Sequence, residues 1–209
     1  MRVDVKHSAE FSIAELNDPA WERSPAIHLT KYWNGESAPP GRHSEVQMLW
    51  SDISLFVRFT AAQSEPLIIS NEPQTVAKTI GLWERDVCEL FVAQDRLEPH
   101  MYFEFEAAPT GEWVDLAISS TSGERITDWD YRSEMETAAR IEEDRVVLAM
   151  KIPFRAFGRK PEAGDVWLGN IFRCVGSGPD RGYLAWRPTY SEKPNFHVPE
   201  KFGQLTFAR

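Results

Sequence analysis

The side chains in this chain with the most chemistry to offer are a few glutamates and an unusual number of tryptophans. Residues 82–91 read LWERDVCELF. In a strand, residues two apart share a face, so Glu89 points the same way as Val87 and Phe91. An ionised carboxylate among apolar neighbours is costly unless it is paired. Either Glu89 has a partner elsewhere in the chain, with Arg173, His197 and Arg85 as candidates, or its face is not a plain core. Glu104 and Glu106 repeat the pattern in MYFEFEA, residues 101–107. Such carboxylates can accept hydrogen bonds from a ligand's hydroxyls, or in pairs serve as general acid and base. The eight tryptophans offer broad flat faces, each with one donor, suited equally to cores and to stacking sites.

Period-two alternation dominates the elements that must position these groups. SLFVRFTA sets Leu55, Val57, Phe59 and Ala61 on one face, and MYFEFEA sets Met101, Phe103 and Phe105 against Tyr102, Glu104 and Glu106. WVDLAI, RVVLAMKIPF, DVWLGNIFRCV and GQLTFA continue it. These read as half-buried strands of antiparallel sheet. NGESAPPG, SNEPQ, APTGE, STSGE, VGSGPDRG and SEKPNFHVPE are the turns between them. NDPAW starts a short helical turn, and Ala138–Glu142 is expected as an edge strand. Two connections, residues 62–81 and 187–200, are long enough to carry function. The expected fold class is all-β: one antiparallel β-sandwich of two packed sheets over residues 1–209, with little helix.

A net charge of −9, with no basic run, argues against a nucleic-acid partner. No stretch reaches the length of a membrane span and the N-terminus lacks an apolar leader. The expectation is a soluble cytoplasmic protein, or a secreted one if a leader has been removed. Cys88 and Cys174 have no metal-ligand spacing and read as two buried thiols. No cofactor is expected, and neither a structural calcium nor an oligomeric state can be read from the pattern.

Six segments in one order, LWERDVCELF, YFEFEAAPTGEWVD, MKIPF, WLGNIFRC, YLAWRPTY and NFHVPEKFGQLTF, resemble the family 9 carbohydrate-binding modules and their broader DOMON-like relatives. The resemblance runs from about Trp33 to the C-terminus. It implies a β-sandwich with an aromatic sugar cleft, in which Trp83 and Trp186 match the two tryptophans that hold the sugar and Glu89 matches the glutamate that hydrogen-bonds it. The chain departs from the sugar-binding members at EFEAAPTG, where they carry a more basic, amide-rich stretch. The expected ligand-binding set is Trp83, Glu89, Arg173, Trp186, His197, Glu104 and Asn170, with no catalytic residue and no metal ligand, and the expected partner is a carbohydrate. Each of these residues also has a purely structural reading: Glu89 and Arg173 as a buried ion pair, His197 as a loop tether, Asn170 as a backbone clamp. Three other functions compete. One is a degenerate cleft serving as a protein-interaction scaffold. Another is a glycoside hydrolase using Glu89 with Glu104 or Glu106. The last is a haem site with Met48 and His197 as axial ligands.

Overall fold

A computed structural model describes residues 1–121 and 124–209. The turn expected at STSGE includes Ser122 and Gly123 and so lies partly outside the described residues. Among the described residues, thirteen strands form one continuous ladder that curls over on itself. The first layer contains β5 (Val87–Ala93), β6 (Met101–Ala107), β7 (Trp113–Thr121), β8 (Glu124–Asp128), β11 (Val166–Val175) and β13 (Gly203–Ala208). The second contains β2 (Ile27–Leu29), β3 (Ser44–Trp50), β4 (Ser54–Ala62), β9 (Glu136–Ile141) and β10 (Arg145–Pro153). Strand β1 (Arg2–His7) joins the layers by running parallel to β13 along most of its length and to β3 at Lys6 and His7. That parallel corner departs from the purely antiparallel expectation. The short strand β12 (Gly182–Ala185) adds to β11 beyond the point where β13 leaves it.

The alternation in the sequence has a direct physical outcome. Leu55, Val57 and Phe59 of β4 and Val146, Leu148 and Met150 of β10 meet Leu90, Val92, Phe105 and Ile171 of the first layer in the core between the layers. Neither outer face is left bare. Leu49, Phe56, Val147 and Ala149 on the second layer are covered by Ile13, Leu16 and Trp21 from the N-terminal segment. Trp21 sits in the helical turn Pro19–Arg23, whose first exposed N–H groups are capped by Asp18 accepting from the Ala20 amide at 2.8 Å. On the first layer, Phe91, Tyr102, Val114, Leu116 and Phe172 pack outward beneath Phe196 and Phe202. Strand β5 is therefore buried on both faces, and the face bearing Glu89 is the outer one.

Arg173 is not Glu89's partner. It stands opposite Cys88 in the ladder, while Glu89 stands opposite Phe172, so the two side chains leave opposite faces of the sheet. The Arg173 guanidinium lies between the layers. It donates to the carbonyls of Arg42 at 2.8 Å and Ala62 at 2.7 Å and to Oε1 of Gln63 at 2.6 Å. It thus ties β11 of one layer to the chain entering β3 and leaving β4 in the other. Cys88 and Cys174 are free and buried, and the same register points them to opposite faces.

The expected edge strand is present as β9, paired only to β10. The connection over residues 62–81 is pinned by a buried ion pair, Lys78 Nζ to Asp115 Oδ1 at 2.8 Å, and by Asp86, which accepts from the amides of Ile68 and Gly176. Replacing Arg173 with methionine keeps the side-chain bulk but strips donors from three part-buried acceptors. It should lower unfolding free energy by about 1–3 kcal/mol, seen as a fall in the urea midpoint with an unchanged slope.

Candidate functional site

The outer face of β5, β6, β7 and β11 forms the floor of a cavity of about 340 Å³. Its far wall comes from the connection after β12. There Phe196 stacks on Phe172 with ring centroids 4.0 Å apart and planes 9° apart, which fixes the loop and brings His197 over the sheet. The His197 Nδ1 and the Tyr102 hydroxyl share a hydrogen bond of 2.9 Å. The near wall is the short turn Leu82–Glu84, which carries Trp83. Gly81 enters that turn at φ 83°, a conformation open to glycine and strained for other residues.

The turn is held from behind by Arg181. Its guanidinium donates to the carbonyls of Trp83 and Arg85, each at 2.7 Å, and of Glu84 and Gly176, each at 2.9 Å. Five donors in a rigid fork suit this use of arginine. Trp129 closes the rim from the turn after β8. Its indole centroid lies 6.3 Å from that of Trp83, with the rings inclined at 42°. Trp129 is half exposed, at 50%, so its face is open to whatever enters.

The floor is acidic. Glu89 and Glu106 are directly opposite in the ladder and Glu104 faces Phe91 one pair along. All three carboxylates are buried, and an oxygen from each lies within 4.8 Å of the others. Among the described residues no donor outside the cluster reaches either oxygen of Glu106 or Oε2 of Glu104, and the Glu104 and Glu106 carboxyls contact each other. Glu89 Oε1 has only the Cys174 thiol, at 3.4 Å. His197 Nδ1 lies 4.0 Å from Glu104 Oε2.

The electrostatic consequences follow from burial and like charge. Burial, reinforced by the Glu104 charge, holds the Glu89 carboxyl well above the usual carboxylate range. Burial followed by the charges of Glu89 and Glu104 does the same to Glu106. Glu104 is raised by burial, against opposing pulls from Glu106 and Arg125. His197 moves the other way, pushed down to about 3 by burial and by Arg125, and is neutral at pH 7. Cys174 is also raised, by burial and then by Glu89, which makes it an unreactive thiol. Three carboxylate groups this close could hold a hard cation through oxygen, and among the described residues they form the one cluster with that geometry.

Of the residues singled out in the sequence, Trp83, Glu89, Glu104 and His197 meet around this cavity. Arg173, Trp186 and Asn170 do not. The Trp186 indole lies across the backbone of Gly203, where an added Cβ would come within 2.5 Å of the ring, and it belongs to the core between the layers. Asn170 bridges the point where β11 exchanges β13 for β12. Its Nδ2 donates to the Arg187 carbonyl at 2.8 Å, and its Oδ1 accepts from the amides of Ile171 and Arg187. Arg85 pairs with Glu112 at 3.1 Å rather than with Glu89. Met48 lies in the core between the layers and His197 on the outer face, so the two cannot converge on one haem iron. The residues missed in the sequence are Trp129, Arg125 and Thr127 along one side of β8, and Tyr183 and Phe196. The alternation in RITDW, which sets Arg125, Thr127 and Trp129 on one face, was the available signal.

The geometry therefore describes a small aromatic-walled cleft on the outer face of a β-sandwich. Residues 46–207 match the family model described as carbohydrate-binding family 9, and the chain belongs to that family. A protein from Bacteroides uniformis, proposed to be carbohydrate-binding, has a similar structure. The TM-score is 0.78 at 18% identity, over 99% of this chain and 98% of that one. A family 9 carbohydrate-binding module from Caldicellulosiruptor kristjanssonii, solved with cellotriose, gives a TM-score of 0.69 at 14% identity, over 100% of this chain and 94% of that one. The same source's module solved with glucose gives 0.69 at 14% identity, over 100% and 97%. No curated protein matches the chain. Among the described residues no helix is long and apolar enough to cross a membrane.

The acidic floor predicts a particular pH dependence of stability. A glutamate whose folded pKa is raised stabilises the fold below its unfolded pKa, near 4.3, and loses that contribution as pH rises through the folded value. Glu106→Gln should therefore be more stable than the parent at pH 7, by about 1–3 kcal/mol, the scale for relieving an unsatisfied buried group. The gap should close near pH 4.3. His197, whose depressed pKa favours stability as pH rises, is present in both proteins and cancels in the difference. Parallel thermal melts at the two pH values check this.

Proposed function

We propose that this chain is a non-catalytic module that binds a carbohydrate in the cleft between Trp83, Trp129 and the β12–β13 connection. The observation that carries the reading is the pair of tryptophan faces above buried, outward-facing carboxylates, in a member of a carbohydrate-binding family. Indole faces take the C–H face of a pyranose through dispersion and weak C–H contacts. Glu89 and Glu104 then accept hydrogen bonds from its hydroxyls, stronger when the acceptor is charged. Pre-formed aromatic walls with a few convergent polar groups are the usual build of a small-ligand site. The complexes of the Caldicellulosiruptor module with cellotriose and glucose make glucose and short β-glucans the first ligands to test.

The chemistry of a glycosidase fits the same carboxylates poorly. A hydrolase needs its two carboxyls flanking the scissile bond, one protonated and one ionised. Here all three lie side by side on one sheet face, with Glu89 and Glu104 on the floor of the cleft and Glu106 behind them. The expected result is no turnover of aryl glycosides or oligosaccharides by the parent protein. Any turnover that disappears in Glu89→Gln would reverse the reading.

Trp83→Ala and Trp129→Ala should each weaken sugar binding by about 1–3 kcal/mol, on the scale of aromatic stacking platforms, with melting temperatures close to the parent. Trp186→Ala should instead destabilise by about 3–5 kcal/mol, the range for a buried Trp→Ala. Calorimetric titration and thermal melts on the three variants separate these outcomes. Unaltered affinity in both Trp83→Ala and Trp129→Ala would remove the cleft as the site.

A further inference from the structure

A neutral sugar does not use all that the floor provides. Glu89, Glu104 and Glu106 place oxygens within 4.8 Å of one another, and among the described residues no lysine or arginine lies within 4.0 Å of them. The nearby cations are committed or peripheral. Arg181 spends its donors on four main-chain carbonyls, Lys78 is bound to Asp115, and Arg125 lies exposed at the rim. His197 is neutral, from burial and the Arg125 charge, and shares Nδ1 with Tyr102.

A second observation goes beyond the acidic pair that lines the cavity. Glu106 is fully buried behind Glu89 and Glu104, turned toward them, and among the described residues neither of its oxygens meets a donor from outside the cluster. An arriving cation is what would let these proton-holding carboxyls ionise, and Glu106 then adds a third charge behind the two that line the cavity, whereas it offers nothing to a hydroxyl that one glutamate would not. The group that matches this floor is compact and cationic, with several N–H donors and no acceptor. An ammonium has that composition. The wall above suits it as well, because indole faces attract cations as well as sugar C–H groups.

Building on the sugar-site reading above, we infer that the cleft selects a pyranose bearing a free amine, a hexosamine or the end of a de-N-acetylated oligosaccharide, with the ammonium seated on Glu89 and Glu104 in front of Glu106. The ring lies against Trp83 and Trp129, and the ammonium takes the place a hydroxyl would have in a neutral sugar. An N-acetylated sugar is disfavoured on two counts. It has no charge, and it puts an amide carbonyl, an acceptor, against carboxylates.

The test is calorimetric titration of the purified protein with glucosamine, glucose, N-acetylglucosamine, and calcium chloride alone. It is run at about pH 6.5, where an amine with a pKa near 8 is protonated, on the parent and on Trp83→Ala, Glu104→Gln and Glu106→Gln. The expected result is glucosamine binding at least about tenfold tighter than either neutral sugar, the scale of one charge-assisted hydrogen bond. That ratio should fall to about twofold in both glutamine variants. Glu106→Gln serves as the second variant because it is expected to fold at least as well as the parent. Glucose and glucosamine binding equally, with both lost in Trp83→Ala, would overturn the amine selectivity and leave the sugar site standing. Binding of none of the sugars would overturn both. Tight calcium binding that disappears in Glu106→Gln, without preference for glucosamine, would make the floor a metal site and overturn the inference.

Discussion

Glu89, Glu104 and Glu106 stand buried together on one sheet face, with no lysine or arginine paired to them among the described residues, and the cleft is built around them. A strand that carries a charge is normally half buried, its polar side wet. Here β5 is covered on both sides, by the second layer within and by the chain after β12 without. The carboxylates therefore lose hydration and gain little beyond the Cys174 thiol and one another. Such groups respond by holding protons or by waiting for a donor. A fold selected for stability alone would have placed apolar residues at these positions, as it did at Phe91, Val114 and Leu116 on the same face.

The remaining buried polar groups do a different task, and they do it through main chain. Arg181 holds the turn that carries Trp83, Asp86 holds two loops, Asn170 closes the gap between β13 and β12, and Arg173 ties one layer to the other. Each meets backbone groups that have no partner in the ladder, and each fixes a connection whose own chain would leave it loose. A donor or acceptor satisfied by carbonyls and amides is not free to serve a ligand. This division separates positioning from binding in the molecule: Glu89 and Glu104, with few protein donors, face the cavity, and the fully satisfied side chains frame it.

Most of the fold was legible in the sequence because strand periodicity is local. Alternation in SLFVRFTA, MYFEFEA and RVVLAMKIPF specifies which side chains share a face, and those faces are the ones that pack. Strands with weaker alternation escaped. Residues 2–7 have mixed burial and earn their place through parallel pairing with the distant β13, and β8 is a largely exposed strand at the end of the ladder. The site was half legible. Trp83 and Glu89 lie six residues apart in one segment, so their proximity needed only a turn and a strand. Trp129 comes from the other end of the sheet, and only the short alternation in RITDW sets it apart from a packing tryptophan.

By itself the sequence determined the fold class, the strand faces, and the presence of outward carboxylates among apolar neighbours, since each follows from residues a few positions apart. Which carboxylates meet, and what meets them, was decided only by the tertiary structure. Register is the reason: Glu89 falls opposite Glu106 and Phe172, and Arg173 falls opposite Cys88. A pleated strand turns successive side chains to opposite faces, so a slip of one residue would have reversed every one of these assignments. Arg173 is one residue away from Phe172 in sequence and a full sheet thickness away from Glu89's face in space. The same one-residue difference sends Trp186 into the core beside Gly203 and leaves Trp129, a distant residue, to face Trp83 across the cleft.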